Sequence, residues 1–289
     1  MAHHPHGLRH DLVQMDLELA RIAQRRRALR VLGGLAAGAL PLIGCGGGDD
    51  TAATSTGTTT GTTTGTTTGT GAVSSCSATP SETAGPYPGD GTNSNSSGVV
   101  NVLTQTGVVR SDIRSSFGGL SGTASGVPLT VTLRLVNTAA ACADLAGYAV
   151  YLWHCTADGG YSLYSSGITG QNYLRGVQVA DANGQVTFTT IFPGCYSGRW
   201  PHMHFEVFTS LATATSGNSD VRTSQLALPT AACNQVYGVD SRYAASVSAF
   251  NAISLTSDNV FSDTAGVGQL ATVTGNATSG FAATLTVGI

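Results

Sequence analysis

Residues 128–135, Pro-Leu-Thr-Val-Thr-Leu-Arg-Leu, alternate apolar and polar positions, so Leu129, Val131, Leu133 and Leu135 fall on one face of an extended strand. Ala149-Val150-Tyr151-Leu152-Trp153-His154 predicts a second strand. The run Asp181-Ala182-Asn183-Gly184 reads as a turn, and residues 185–192 leave it as a third strand. His202-Met203-His204-Phe205-Glu206-Val207-Phe208 predicts a fourth, and residues 269–274 and 282–287 are also β-like. After residue 76 no stretch sustains a 3.6-residue period. Short apolar runs punctuated by Gly, Asn and Asp predict an all-β fold, a β-sandwich of mostly antiparallel strands, over residues 76–289. A segment of this length buries an adequate core as one domain.

The first 75 residues follow a different pattern. Arg25-Arg26-Arg27-Ala28-Leu29-Arg30 precedes the apolar run 31–43, which is too short to span a bilayer but suits the core of a signal segment. The run ends in Leu42-Ile43-Gly44-Cys45, the pattern of a bacterial lipobox, which predicts cleavage before Cys45 and acylation of its thiol. The adjacent arginines resemble a twin-arginine export signal, with Ala28 where an aromatic residue or leucine is usual. His3, His4, His6 and His10 fall in an extended leading region, or upstream of a start at Met15, and are not read as a metal site. Residues 46–75 are almost entirely Gly, Thr, Ser and Ala, with Gly57, Gly61, Gly65 and Gly69 at every fourth position. With no apolar group to offset ordering entropy this predicts a flexible tether, with a reach of roughly 30 Å. The expected organisation is a signal segment (1–44), a tether (45–75) and a folded domain (76–289), exported and membrane-anchored, periplasmic or at the cell surface.

Charge narrows the range of partners. Charged residues make up 10% of the chain, the basic ones are all arginine, and six of these lie at or before Arg30. Beyond Gly44 seven arginines face thirteen carboxylates, a net charge of −6, which leaves no basic surface for a nucleic-acid backbone. The six cysteines are Cys45, Cys76, Cys142, Cys155, Cys195 and Cys233, with no Cys-x-x-Cys pair to suggest zinc. In an exported chain the last five predict disulfides with one thiol left over, of unreadable connectivity.

Only His154, His202 and His204 lie beyond the leader. His202 and His204 are two apart in an extended run, so both imidazoles leave the same face and can chelate one ion. His154, beside Trp153 within a strand, reads as a packed, hydrogen-bonded histidine. Tyr196 follows Pro193-Gly194-Cys195, which turns the chain out of the third strand, and Arg199 sits three before His202. A phenolate is a hard anionic donor suited to trivalent iron more than to zinc or copper(I). A permanent guanidinium beside it can hold an anionic substrate.

Four stretches together carry a family resemblance. They are Leu152-Trp153-His154-Cys155-Thr156-Ala157-Asp158-Gly159-Gly160-Tyr161, then Tyr173-Leu174-Arg175-Gly176-Val177-Gln178, then residues 188–196 ending in Pro193-Gly194-Cys195-Tyr196, then Arg199-Trp200-Pro201-His202-Met203-His204-Phe205. In order and spacing they resemble the intradiol ring-cleavage dioxygenases, a family that includes protocatechuate 3,4-dioxygenase and catechol 1,2-dioxygenase, and most closely its secreted relatives. Thr79-Pro80-Ser81-Glu82-Thr83-Ala84-Gly85-Pro86-Tyr87 resembles the segment that opens that domain, and the likeness spans residues 76 to about 230.

The resemblance implies an intradiol dioxygenase-like β-sandwich holding non-haem Fe(III) through Tyr161, Tyr196, His202 and His204, with Tyr164 the rival to Tyr161. It implies Arg199 as the active-site arginine and Gln225 as a substrate-facing glutamine. The implied reaction joins a catechol-type substrate and O2 to give a muconate-type diacid, with Tyr196 taking a substrate proton and Arg199 stabilising the charge that develops. The loop from Ser197 to Pro201 is shorter than in the catechol enzymes, which alters a wall of the substrate pocket. Two other readings stay open: a non-catalytic cell-surface β-sandwich that binds a glycan or a protein, and a copper or zinc site on His202 and His204 alone.

Overall fold

The structure, a computed structural model, describes residues 76–289. The expected signal segment, the lipobox at Cys45 and the Thr/Gly tether lie outside the described residues. A hairpin of β1 (Asp90–Asn95) and β2 (Gly98–Asn101) opens the ordered strands. Two sheets follow. The first contains β3 (Pro128–Asn137), the two-residue β4 (Ala143–Asp144), β7 (Gln185–Ile191), β10 (Thr272–Asn276) and β11 (Gly280–Gly288). In it β11 runs parallel to β3, pairing Phe281 with Leu129 through Gly288 with Val136. The second is antiparallel throughout, in the order β6 (Arg175–Val179), β5 (Ala149–Trp153), β8 (His202–Phe208) and β9 (Arg222–Ala227).

The alternation of β3 puts Leu129, Val131, Leu133 and Leu135 into one cluster with Phe188 of β7, Val287 of β11, Val150 and Leu152 of β5, and Met203, Phe205 and Val207 of β8. This is the sandwich interior, two inner faces interdigitating. The other face of the second sheet is covered too, because Ala149, Tyr151 and Trp153 join a separate cluster with Val102, Phe117 and Tyr161. All seven residues of β8 are buried for that reason. His202, His204 and Glu206 therefore point away from the interior, into the space between the sheet and the loops that cover it.

The turn at 181–184 forms as expected: Gly184 N–H donates to the Asp181 carbonyl at 3.0 Å, and Asp181 Oδ1 accepts from Asn183 and Gln185 N–H at 2.9 Å. Three expectations change. The strand expected at 269–274 begins at Thr272, since Gln269 and Leu270 still donate to Gly266 O in a turn. Two α-helices, α1 (Thr230–Tyr237) and α2 (Ala244–Asn251), pack beside the first sheet's end of the core. At eight residues each they are two turns long, too short to print a sustained helical period. Among the cysteines, Cys76 and Cys142 form a disulfide, leaving three thiols, Cys155, Cys195 and Cys233, where one was expected. These three are buried core residues, and burial pushes Cys155 and Cys195 up to about 12.

Candidate metal centre

Four side chains from three chain segments meet on the covered face of the second sheet. His202 opens β8 and His204 follows it two positions on; their Nε2 atoms lie 3.1 Å apart. Tyr161 lies in the loop after β5, whose turn is closed by Thr156 N–H to Gly160 O at 2.7 Å and by Gly160 N–H to Thr156 Oγ1 at 2.9 Å. Tyr196 lies in the loop after β7. The two loops are pressed together at Gly194, where N–H donates to Thr156 O at 2.9 Å and an added Cβ would sit 2.6 Å from Ala157 O. Only glycine fits that approach.

The result is a closed ring of polar atoms. Tyr161 Oη is 3.1 Å from Tyr196 Oη and 3.2 Å from His204 Nε2, and Tyr196 Oη is 3.1 Å from His202 Nε2. Tyr161, His202 and His204 are buried, while Tyr196 is half-buried. Tyr164, the rival to Tyr161, turns away: its hydroxyl donates to Asn93 Oδ1 at 2.6 Å and its ring lies under the Arg175 guanidinium. His154 is satisfied at both nitrogens, by Cys155 O at 2.8 Å and Thr190 Oγ1 at 2.7 Å, and stays outside the ring.

Each member of the ring is held in the neutral form. Burial, then Tyr196, pushes the Tyr161 phenol well above its ordinary range, and burial pushes Tyr196 up to about 12 against the pull of Arg199. Burial, then Arg199, drives both imidazoles well below theirs. His202 Nδ1–H donates to Trp200 O at 2.5 Å, which fixes the tautomer and leaves its Nε2 lone pair facing the ring. Trp153 stacks on His204 at 5.0 Å and 8° and fixes the plane of that imidazole.

The ring has the size and chemistry of a metal site. Four atoms spaced 3.1–3.2 Å around a closed path leave a centre about 2.2 Å from each if coplanar and about 1.9 Å if tetrahedral, which brackets ordinary metal–nitrogen and metal–oxygen bond lengths. Among the described residues no three His, Cys, Asp or Glu converge as a metal site, so a four-donor site here would need the phenols beside the two imidazoles. The nearby thiols point elsewhere, Cys155 Sγ to Gly194 O and Cys195 Sγ to Arg199 O. Two hard oxygen and two imidazole donors fit ferric iron better than zinc or copper(I). A cation would reverse the preference of the phenols, since its charge favours phenolate, and would reinforce that of the imidazoles, which are already unprotonated.

Arg199 and Gln225 stand beside the ring. The turn from Tyr196 to Arg199, with Gly198 at φ +78°, closes through Arg199 N–H to Tyr196 O at 3.1 Å and returns the guanidinium to the ring. Arg199 Nη1 donates to His202 Nε2 at 3.2 Å. Gln225 on β9 pairs in register with His204; its Oε1 accepts from Arg199 Nη2 and its Nε2 donates to Thr83 O at 2.9 Å. Thus Thr83 belongs to the segment that crosses the edge strand β9 and passes over the imidazoles. A Cβ on Gly85, at φ +72°, would lie 3.4 Å from His204 Cε1, and Tyr87 packs on Tyr161 at 5.2 Å.

Two residues that sequence reasoning did not single out support the site. Arg175 is buried, donating to Tyr87 O, Pro88 O, Ser162 O, Ser162 Oγ and Tyr151 Oη, so it ties the 83–88 segment to the Tyr161 loop. Asp258 is fully buried against Arg199. No local pattern announces either role.

A family model described as Dioxygenase matches residues 114–215. No curated protein matches the chain. Among solved structures, an intradiol ring-cleavage dioxygenase from Tetranychus urticae is similar at 23% identity and a TM-score of 0.58, over 74% of this chain and 95% of that one. A second, dioxygenase Tetur07g02040, is similar at 25% identity and a TM-score of 0.57, over 74% of this chain and 94% of that one. In the family region it matches and in its fold, this chain resembles the intradiol ring-cleavage dioxygenases.

Proposed function

We propose that the chain is a non-haem ferric dioxygenase that cleaves a catechol-type ring between its two hydroxyl-bearing carbons. The observation that carries this reading is the closed ring of Tyr161, Tyr196, His202 and His204 at 3.1–3.2 Å. These four would hold Fe(III). When bound, the ion would supply the Lewis acidity that draws electron density from a catecholate towards O2, so that both oxygen atoms enter a muconate-type diacid.

The remaining work falls to the side chains. Tyr161, His202 and His204 are the buried members and would stay in place, oriented by the loop turn at Thr156, by Trp200 O and by the Trp153 stack. Tyr196 is the one that is half-buried rather than buried, and its oxygen, like that of Tyr161, favours the protonated state. It is therefore suited to accept a catechol hydroxyl proton at Oη and withdraw. One lone pair on His202 Nε2 cannot both accept from Arg199 and hold a metal. With a metal there, the Arg199 Nη1–H is left to meet the negative charge that develops on the substrate. Gln225 keeps that guanidinium in place through Oε1.

The test is to purify the full chain, load ferric iron, and record its visible spectrum with and without catechol. A broad tyrosinate-to-iron band that shifts with catechol, with oxygen uptake, supports the reading. A colourless protein that takes up no ferric iron overturns it and favours a binding module. We further propose that the enzyme is exported and anchored through Cys45. Cys45→Ala would move the protein from the membrane to the soluble fraction of expressing cells, and an unchanged distribution would refute the anchor.

A further inference from the structure

The Arg199 guanidinium is occupied on every edge by a different partner. Nε donates to Asp258 Oδ2 at 3.0 Å, Nη2 to Gln225 Oε1, and Nη1 to His202 Nε2 at 3.2 Å. Asp258 is 59 residues away in sequence and has no solvent exposure. Its Oδ2 also accepts Trp200 N–H at 2.5 Å, and its Oδ1 accepts Val260 and Phe261 N–H, each at 2.7 Å. The carboxylate is thus fixed to main chain on both sides, before Arg199 is counted. Phe261, the next residue of that strap, lies beneath the guanidinium at 5.9 Å and edge-on to His202 at 6.4 Å.

We propose that Asp258 is a positioning residue for ring cleavage, aiming the Arg199 guanidinium so that Nη1 is the edge presented to the metal and substrate; this rests on the ferric dioxygenase reading above. The geometry separates aiming from simple charge pairing. A guanidinium presents its donors in a rigid plane, so two fixed acceptors on Nε and Nη2 determine where Nη1 points. Gln225 alone supplies one such point and leaves the plane free to rotate about it. Asp258 supplies the second, and its own anchors lie on Trp200 and the 258–261 strap rather than on the ring. It also balances the arginine's charge in a buried setting, so the ring faces an oriented N–H rather than an unpaired cation.

The test uses the full chain with Asp258→Asn, Asp258→Glu, Arg199→Gln and the double variant Arg199→Gln/Asp258→Asn. An asparagine has one acceptor oxygen. It can serve Val260 and Phe261 N–H, but its NH2 group then faces the Arg199 and Trp200 donors, so the aim is lost while the strap keeps its contacts. The expected result for Asp258→Asn is wild-type ferric content and an unshifted tyrosinate band without catechol. Its kcat should be about 100-fold lower, the loss typical of one misplaced donor to developing charge, with a smaller change in KM. The double variant should be no slower than Arg199→Gln alone, and Asp258→Glu should recover part of the loss. A folded, iron-loaded Asp258→Asn with near-wild-type kcat would overturn the proposal, as would multiplicative losses in the double variant.

Should Asp258→Asn fail to fold, Asp258→Glu decides between the outcomes: a reduced kcat at unchanged iron content supports aiming, and an unchanged kcat refutes it. A readout independent of catalysis is the Arg199 Nε–H resonance of the metal-free protein, identified by its disappearance in Arg199→Gln. The proposal expects slow solvent exchange in the wild type and fast exchange once Asp258 is altered. If the wild type neither binds ferric iron nor cleaves catechol, the dioxygenase reading fails. The exchange rate still decides whether Asp258 holds Arg199, and fast exchange in the wild type would refute it.

Discussion

Replacing Tyr161 by phenylalanine removes one oxygen and leaves the ring's packing intact. The Tyr161 ring still meets Tyr87 at 5.2 Å, Tyr196 at 6.0 Å and His204 at 6.1 Å. In metal-free protein the loss is confined to the contacts of Oη with Tyr196 Oη and His204 Nε2. One neutral buried hydrogen bond is worth about 1 kcal/mol, and on a domain of this size that lowers Tm by about 2–4 °C. If the oxygen is a ligand, the larger effect depends on the metal. With free ferric ion 100-fold above its Kd, binding stabilises the wild type by about 2.7 kcal/mol, a Tm rise of about 5–10 °C. A hundredfold loss of affinity in Tyr161→Phe would leave only about 0.4 kcal/mol of that, about 1 °C. The assay is a pair of thermal melts with and without ferric ion, read beside iron content and the visible band. An equal ferric increment and an unchanged band in both proteins would refute Tyr161 as a ligand. A copper or zinc increment equal in both, with no ferric increment in either, would assign the site to the histidine pair alone.

Other predictions test the supports. Gly194→Ala drives a Cβ against Ala157 O at an overpacking cost of about 1–3 kcal/mol; it should separate Tyr196 from Tyr161 and reduce ferric content, and a variant with full iron content and unchanged Tm would refute the role given to this glycine. Removing the Cys76–Cys142 disulfide, which closes a 66-residue separation, should cost about 4 kcal/mol by loop-closure entropy, or about 10 °C in Tm, seen by comparing melts of the protein and its double-serine variant. Burial pulls the His154 imidazole down to about 4, so the unfolded chain takes up that proton first as pH falls from about 6.5. His154 thus contributes stability that is intact above pH 6.5 and lost at about 1.4 kcal/mol per pH unit towards pH 4; urea midpoints across that range should fall less steeply, by one proton, in His154→Gln.

What the sequence made legible follows from where each element's neighbours lie. Strand β3 buries one face and exposes the other, so its alternation is printed in Leu129, Val131, Leu133 and Leu135. By contrast β6 and β9 are shorter and mix Arg, Gly, Gln and Ser with apolar positions, because their outer faces meet buried polar networks rather than water. The spacing of His202 and His204 was readable because both lie on one strand. Tyr161 could be set above Tyr164 only through family resemblance; in the structure the distinction comes from the Thr156–Gly160 turn, which points the first at the ring and the second at Asn93. Asp258 was not readable at all. It sits in a Ser/Thr-rich stretch that resembles an exposed loop, and its partners Arg199 and Trp200 are distant in sequence.

A count of protons across the ring favours a cation at its centre. His202 Nδ1–H is committed to Trp200 O, so its Nε2 can only accept, and Arg199 Nη1–H already points at it. Each phenol brings one proton. His204 brings one, on Nδ1 or on Nε2. Its Nδ1 is buried without a well-formed partner, yet the Thr83 backbone acts on it in the sense of an acceptor. If the proton sits on that side, two phenol protons must serve four contacts of 3.1–3.2 Å, and two contacts set lone pair against lone pair. If it sits on Nε2, three contacts are served, but bare Nδ1 then turns a lone pair towards the Thr83 carbonyl in a buried setting, which is costly. In the first arrangement each ring atom can find one partner, since His202 Nε2 accepts from Arg199, but the 3.1 Å contacts of His202 Nε2 with Tyr196 Oη and with His204 Nε2 then set lone pair against lone pair. A cation removes the conflict, because all four atoms can then present lone pairs inward while His204 Nδ1–H turns to the Thr83 backbone. The shortage of protons and the spacing of the donors thus both support the ferric site proposed above, since two phenol oxygens suit an ion of high positive charge.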